Sequence, residues 1–325
     1  MADWTGAGRD TVDVYRKMAE RELRGISPSY EQLCLAVADD ERLCSLLDRL
    51  PEPKRQPILL LASVRYLDGP VDRPGAFLDF VRLRWDDITQ VMLEHRVQTN
   101  EAARCATLLP VLAALPQPLS LIEVGASAGL CLYPDRYAYR YRAASGDHKV
   151  GTSAVVLACA VTGAAPLPST LPQVAWRAGI DLNPLHADRA DDRRWLECLV
   201  WPEHTERASR LEQALDLVAA DPPRIDTGDL LTDLPKLVAD APSDTTVVVF
   251  HTAVLAYVPP PARDEFTRLM QRLRDTRDVH WISNEVPGIV AGTDLHIGPP
   301  ARCVLAHNQR PLALAGPHGQ SLDWI

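Results

Sequence analysis

What this chain has little of narrows its function first. Positive charge is short: 34 Lys and Arg against 43 Asp and Glu leave a net charge of −9 with no basic block. Phosphate-backbone binding therefore has little electrostatic support, and neither DNA nor RNA is an expected partner. Long apolar runs are missing too. The longest, residues 154–161, has eight residues, against the ~20 that a membrane helix requires, so no membrane partner is expected. The first residues are polar and carry no signal-peptide apolar stretch, which reads as a cytoplasmic protein. The seven cysteines (34, 44, 105, 131, 159, 198 and 303) form no CxxC pair and sit mostly among apolar neighbours. They read as reduced, buried thiols, and no metal site is expected.

What is present is ordinary for a soluble globular chain: 46% hydrophobic and 24% charged residues over 325 positions, enough to bury a full core. The 27 prolines cluster at 51–57, 166–172 and 259–261 and punctuate the chain into blocks. No internal repeat is visible. Residues 1–115 read as a helical N-terminal cap region. Val12, Tyr15, Met18, Ala19 and Leu23 form one apolar stripe, Ser27 and Pro28 look like an N-cap and first helical residue, and Leu43, Leu46, Leu47 and Leu50 continue the pattern. Another helix is expected over 100–114, with Asn100, Glu101 and Arg104 on roughly one face, either over a pocket or as a solvated start capped by Thr99 and Asn100.

The most informative stretch is 119–130, where an apolar run ends in Glu123 and the turn Gly-Ala-Ser-Ala-Gly. Residues 119–124 read as a buried parallel strand, and the turn as a close-approach loop before a helix. Ligands of open α/β sheets bind beyond such carboxyl ends. A dinucleotide fingerprint fails, because Ser127 and Leu130 stand where its second and third glycines belong. The GxSxG elbow of a serine hydrolase is satisfied by Ser127, with His307 and His318 as candidate bases. However, no oxyanion loop lies upstream. The third reading is the first motif of S-adenosylmethionine-dependent methyltransferases, an acid followed by GxGxG, matched by Glu123, Gly125, Ser127 and Gly129.

Downstream segments resemble the rest of that pattern. Residues 224–229 look like a short third strand ending in Gly228 and Asp229, where the resemblance implies that the acid faces the adenine amine. Residues 245–259 look like the fourth strand and its loop, followed by an amphipathic helix with Phe266, Leu269, Met270 and Leu273 at i, i+3, i+4 and i+7. A narrower resemblance covers nearly the whole chain. The segments 97–105, 123–130, 135–141, 179–184, 194–202, 251–257 and 281–285 together resemble a bacterial family of unknown function with a methyltransferase-like core. The chain departs from that family's pattern at Arg65, where a histidine precedes Tyr-Leu, and at Cys131, where an asparagine is usual.

The fold expected is α/β, a Rossmann-like methyltransferase-type sheet with helices on both faces. The core spans 116–325, with an insertion at about 142–220, and ends in an antiparallel set at 303–307, 311–315 and 320–325. The ribose-binding acid is either Asp147 or Asp181. Asp181, His186, Asp188, Asp191 and Asp192 have metal-ligand chemistry, but acids also suit the start of the helix expected over 191–200. His251 and Glu285 each fall where a parallel strand should end, so His251, Asn284 and Glu285 are candidates for the catalytic face. Gln98, Asn100, Glu101, Arg104 and Tyr257 are candidates for contacting substrate. The implied activity is methyl transfer from S-adenosylmethionine to a small molecule. Glu123, Gly125, Ser127, Gly129, Asp181 and Asp229 would hold the cofactor. A serine hydrolase built on Ser127 and a non-catalytic S-adenosylmethionine-binding protein remain alternatives, and the sequence leaves oligomeric state open.

Overall fold

A computed structural model describes residues 10–98, 100–295 and 302–325. Thr99, one of the two expected caps, lies outside them. The chain forms two compact units, one of residues 1–99 with 190–209 and one of residues 100–189 with 210–325. The first boundary between them falls at 99/100, and residues 190–209 rejoin the first unit.

The helices are α1 (Thr11–Met18), α2 (Pro28–Ala38), α3 (Glu41–Leu47), α4 (Pro57–Tyr66), α5 (Pro74–Leu83), α6 (Trp85–Glu94), α7 (Cys105–Ala114), α8 (Ala190–Cys198), α9 (Thr205–Ala220), α10 (Leu234–Asp240) and α11 (Pro260–Arg277). In the first unit, α1 runs into a π-helical turn at Ala19–Leu23, and Tyr15, Met18, Ala19 and Leu23 of the expected stripe are all buried. Ser27 stands before Pro28 as expected, but its hydroxyl does not cap α2. It donates to Glu203 Oε2 at 2.5 Å, while Ser29 donates to Glu203 Oε1 through its amide and hydroxyl. Arg65, the departure noted above, donates to the carbonyls of Cys198 and Val200. Asp191 and Asp192 occupy the first turn of α8, where acids suit the helix dipole.

The second unit is built on one sheet. Its strands are β1 (Leu119–Val124), β2 (Ala138–Ala143), β3 (Gly146–Val150), β4 (Val156–Thr162), β5 (Val174–Asp181), β6 (Arg224–Thr227), β7 (Thr246–Thr252), β8 (His280–Glu285), β9 (Cys303–His307), β10 (Arg310–Ala315) and β11 (Ser321–Trp324), in the order β3-β2-β4-β11-β10-β9-β8-β7-β1-β5-β6. The run β6-β5-β1-β7-β8 is parallel, and β8-β9-β10-β11 is the antiparallel set read from the sequence. From β1 the chain moves to β5 and β6, then crosses to β7 and β8. The direction of winding thus reverses between β1 and β7, the place where open sheets form a crevice.

Residues 190–209 of the stretch expected as an insertion belong to the first unit, whereas β3, β4 and β5 within it belong to the sheet. β2, β3 and β4 extend its far side through the parallel pairing of β4 with β11, and β5 then returns beside β1. This excursion explains why Asp181, at the end of β5, stands so far from the glycine turn in sequence. Asp147 lies instead on exposed β3 opposite Arg142.

β1 is buried along its whole length, as expected of a central parallel strand covered on both faces. On one face Ile122, Val124, Val249 and Trp281 pack with Leu237 of α10 and Phe266 and Met270 of α11. On the other, Asn284 of β8 donates through Nδ2 to Thr107 of α7 at 3.4 Å. Glycine lets the turn sit tightly on β5, since a Cβ on Gly179 would lie 2.5 Å from that of Ala126.

Candidate functional site

The turn after β1 has positive φ at Gly125 (71°), Ser127 (51°) and Gly129 (73°). Glycine takes this conformation at little cost, whereas a serine there is strained. The expected helix does not follow. A single 3-10 turn, Leu130–Leu132, takes its place, and Pro134 supplies the reason. An α-helix would need the amide of residue 134 to donate to the Leu130 carbonyl, and proline has none. The Tyr137 hydroxyl donates to that carbonyl instead at 2.7 Å, and Arg177 Nη1 donates to Leu132 O at 2.7 Å. Arg177 also holds Asp135 through two bonds of 2.9 and 3.0 Å.

The turn's own amides are largely engaged. Gly125 N and Ala126 N donate to Ile180 O at 2.8 and 3.3 Å, and Gly129 N donates to Ala126 O at 2.7 Å. Ser127 N donates to Asp181 Oδ2 at 2.8 Å, and the other oxygen of Asp181 accepts from Asn183 N at 2.8 Å. Asp181 therefore ends the strand next to β1, and its carboxylate clamps the turn. A side chain on Gly125 would not reach into ligand space, because its Cβ would meet Val254 Cγ2 at 2.5 Å.

Beneath the turn, Glu123 is buried with Oε2 unpartnered. Burial raises its pKa well above the usual carboxylate range, with the charge of Arg104 opposing the shift. Arg104 and Glu101 are also buried, which excludes the solvated-helix-start alternative. Glu101 caps a 3-10 turn, Ala102–Arg104, that ends in Arg104, and the α-helix begins only at Cys105. Arg104 Nη1 donates to Thr252 O at 3.1 Å and its Nε to Pro317 O at 3.0 Å. Glu101 Oε1 accepts from Arg210 Nε at 3.0 Å and from Ala103 N at 3.1 Å. Asn100 Nδ2 donates to Ala126 O at 2.9 Å. Cys131, which replaces the family's usual asparagine, is buried with its thiol on Glu101 O at 3.4 Å. Gln98 belongs to the first unit.

The three catalytic candidates do not form one surface. Strand side chains alternate in direction. His251 is paired with Ser283, and Thr252 with Asn284. His251 lies against Phe266 and Trp281 on the α11 face, whereas Asn284 meets Thr107 on the α7 face. His251 is fully buried and both ring nitrogens are engaged. Trp281 Nε1 can only donate, and it does so to His251 Nε2 at 2.9 Å. The ring proton therefore sits on Nδ1 and is donated to Glu285 Oε1 at 2.7 Å. A histidine held in this way has no nitrogen left for a substrate. The sequence reading had placed this residue on the catalytic face, whereas both of its nitrogens are engaged within the protein.

Glu285 Oε1 also accepts from Val254 N at 2.9 Å and Leu255 N at 3.1 Å. This fixes the loop after β7, where Ala253 has φ 55°, and the 3-10 turn Leu255–Tyr257 that follows. Nothing in the sequence marked Ala253, since alanine gives no hint of a left-handed conformation. Glu285 Oε2 is buried without a partner, as are Asn284 Oδ1 and Ser127 Oγ. Ser127 Oγ thus bonds to no histidine among the described residues, and of the two histidines read as its bases His307 pairs with His280 at 2.9 Å and His318 lies in the turn before β11. Asp229 is exposed and turns inward on its own loop, Oδ1 accepting from Leu231 N at 2.7 Å. The run from Asp181 to Asp192 forms no metal cluster among the described residues, and no described helix is long and apolar enough to cross a membrane.

The sequence model of a bacterial family, described as "uncharacterized protein conserved in bacteria (DUF2332)", matches residues 12–324. The chain belongs to that family. No curated protein and no solved structure matches it.

Proposed function

We propose that this member of the family is an S-adenosylmethionine-dependent methyltransferase acting on a small molecule, with the 125–129 turn on the cofactor side and the 253–257 loop on the acceptor side. The observation that carries the reading is the chemistry of the turn at the reversal of winding. Four of its amides are consumed within the protein, so it has little to offer a phosphate. What remains unpartnered around it are two oxygens, Glu123 Oε2, on a carboxyl whose pKa burial raises, and Ser127 Oγ, a hydroxyl that can accept or donate. That set suits a cofactor without phosphates whose amino and ribose hydroxyl groups donate hydrogen bonds and whose sulfur is cationic. When bound, the cofactor would supply an activated methyl group. The chain's own part is to hold it in line with the acceptor, which can account for much of the rate.

Glu123 and Ser127 would contact the cofactor directly. Gly125, Gly129 and Asp181 would shape and hold the turn. Asp229, exposed at the end of β6, would make at most an edge contact with adenine. Isothermal calorimetry of the whole chain with S-adenosylmethionine and S-adenosylhomocysteine at millimolar concentration tests the reading. Heat from both is expected, and silence from both would remove it. Covalent labelling of Ser127 by a fluorophosphonate would favour the hydrolase alternative instead. Cofactor binding with no methyl transfer to any acceptor would favour a binding protein.

A further inference from the structure

Glu285 and the turn that ends in Tyr257 meet at the loop after β7, and their chemistry goes beyond the cofactor. Glu285 is 1% exposed, and three donors converge on its Oε1 while Oε2 receives none. Because the Trp281 indole N–H donates to His251 Nε2, His251 must donate from Nδ1, and Glu285 Oε1 must accept. Oε2 has no hydrogen-bond partner at all, a state that is costly for a buried polar atom unless one arrives.

The bonds from Val254 N and Leu255 N to the same carboxylate seat the Leu255–Tyr257 turn directly on it. Tyr257 keeps 52% of its surface open, although burial around its hydroxyl raises the phenol's pKa, with the charge of Glu285 adding to the rise and that of Arg104 opposing it. The nearby cation, Arg104, is directed at the carbonyls of Thr252 and Pro317. A buried carboxylate oxygen in want of a donor, beside an accessible aromatic face, is a combination that recognises an ammonium group by charge-assisted hydrogen bond and cation–π contact. A carboxylate or phosphate ligand would face Glu285 with like charge.

We infer that the methyl acceptor is an amine, bound as its ammonium form between Glu285 Oε2 and the ring of Tyr257. This rests on the methyltransferase reading for the word acceptor, while the amine site itself stands on the two residues. In the reaction, the ammonium first gives one proton to Glu285 Oε2. The freed nitrogen lone pair then forms the N–C bond as the S–C bond breaks with its electron pair remaining on sulfur, leaving a neutral thioether and a methylated ammonium.

The test uses the full chain and three probes of one shape: benzylamine, benzyl alcohol and benzoate. Each is titrated by ligand-observed NMR with and without S-adenosylhomocysteine. Benzylamine is expected to bind about tenfold more tightly than benzyl alcohol, with benzoate weakest. Tyr257→Ala, at an open position that should not disturb folding, should remove most of that preference, as should Glu285→Gln if it folds. Equal binding of amine and alcohol, or a Tyr257→Ala protein that keeps the preference, would overturn the inference. The two readings fail separately. Amine preference without any response to the adenosyl ligand would leave the amine site and remove methyl transfer; an adenosyl response without amine preference would do the reverse.

Discussion

His251 shows what a residue's type and position leave undetermined. At the end of β7, beside a carboxylate, it has the credentials of a proton acceptor, yet the indole of Trp281 takes Nε2 and Glu285 takes the Nδ1 proton. The sequence displays all three residues, but not that they consume one another's hydrogen-bonding capacity across two strands. The consequence is a stability role. His251→Ala leaves a cavity and two orphaned polar groups, so it should cost about 3 kcal/mol or more, read as a lowered denaturation midpoint. Unchanged stability with lost turnover would restore the catalytic reading. Trp281→Phe, which removes the donor to Nε2 together with part of a buried ring, should cost about 1–3 kcal/mol, and the imidazole nitrogen shifts of His251 should report a changed hydrogen-bond environment. At Asp229 the motif located the acid but not its exposure. Asp229→Ala should therefore weaken adenosyl binding by no more than about 1 kcal/mol, and a larger loss in calorimetry would mean that the loop closes over the ligand.

The elements were legible in proportion to how local their causes are. The alternation and apolar runs of β1, β7 and the terminal strands stand in the sequence. The absence of a helix after the turn depends on Pro134 meeting a carbonyl that Tyr137 reaches from seven residues away. The tight seat of the turn on β5 is equally non-local, and Gly179→Ala should cost about 1–3 kcal/mol through the forced contact with Ala126, visible as faster amide exchange over 125–129. The β8–β9 pair carries a pH dependence of its own. Burial pushes the His307 pKa from the ordinary 6.5 down to about 4, with neighbouring His280 and Arg274 adding to the shift. The unfolded chain then binds a proton that the folded chain refuses, so the native state loses stability as pH falls from about 6.5 to 4 and regains it above. His307→Gln should flatten that part of the curve of denaturation midpoint against pH. An unaltered slope would assign it to other groups.

For the whole molecule, the division into two compact units and the acidic balance set the form of the broadest test. A ligand that binds only the native state stabilises it by RT ln(1 + [L]/Kd), about 2.7 kcal/mol at a hundredfold excess over Kd. For a chain of this size that is a rise in melting temperature on the order of 5 °C. The candidate cofactor residues all belong to the unit of residues 100–189 and 210–325. If the units melt in separate calorimetric transitions, S-adenosylmethionine should move one of them and leave the other in place. The control is a phosphate-bearing adenosine ligand. The turn's amides are engaged by Ile180, Asp181 and Ala126, and the net charge of −9 repels polyanions, so adenosine triphosphate should shift neither transition at equal concentration. A triphosphate shift as large as that from S-adenosylmethionine would mean that the turn releases its amides to a phosphate. The case for a phosphate-free cofactor would then fail with it.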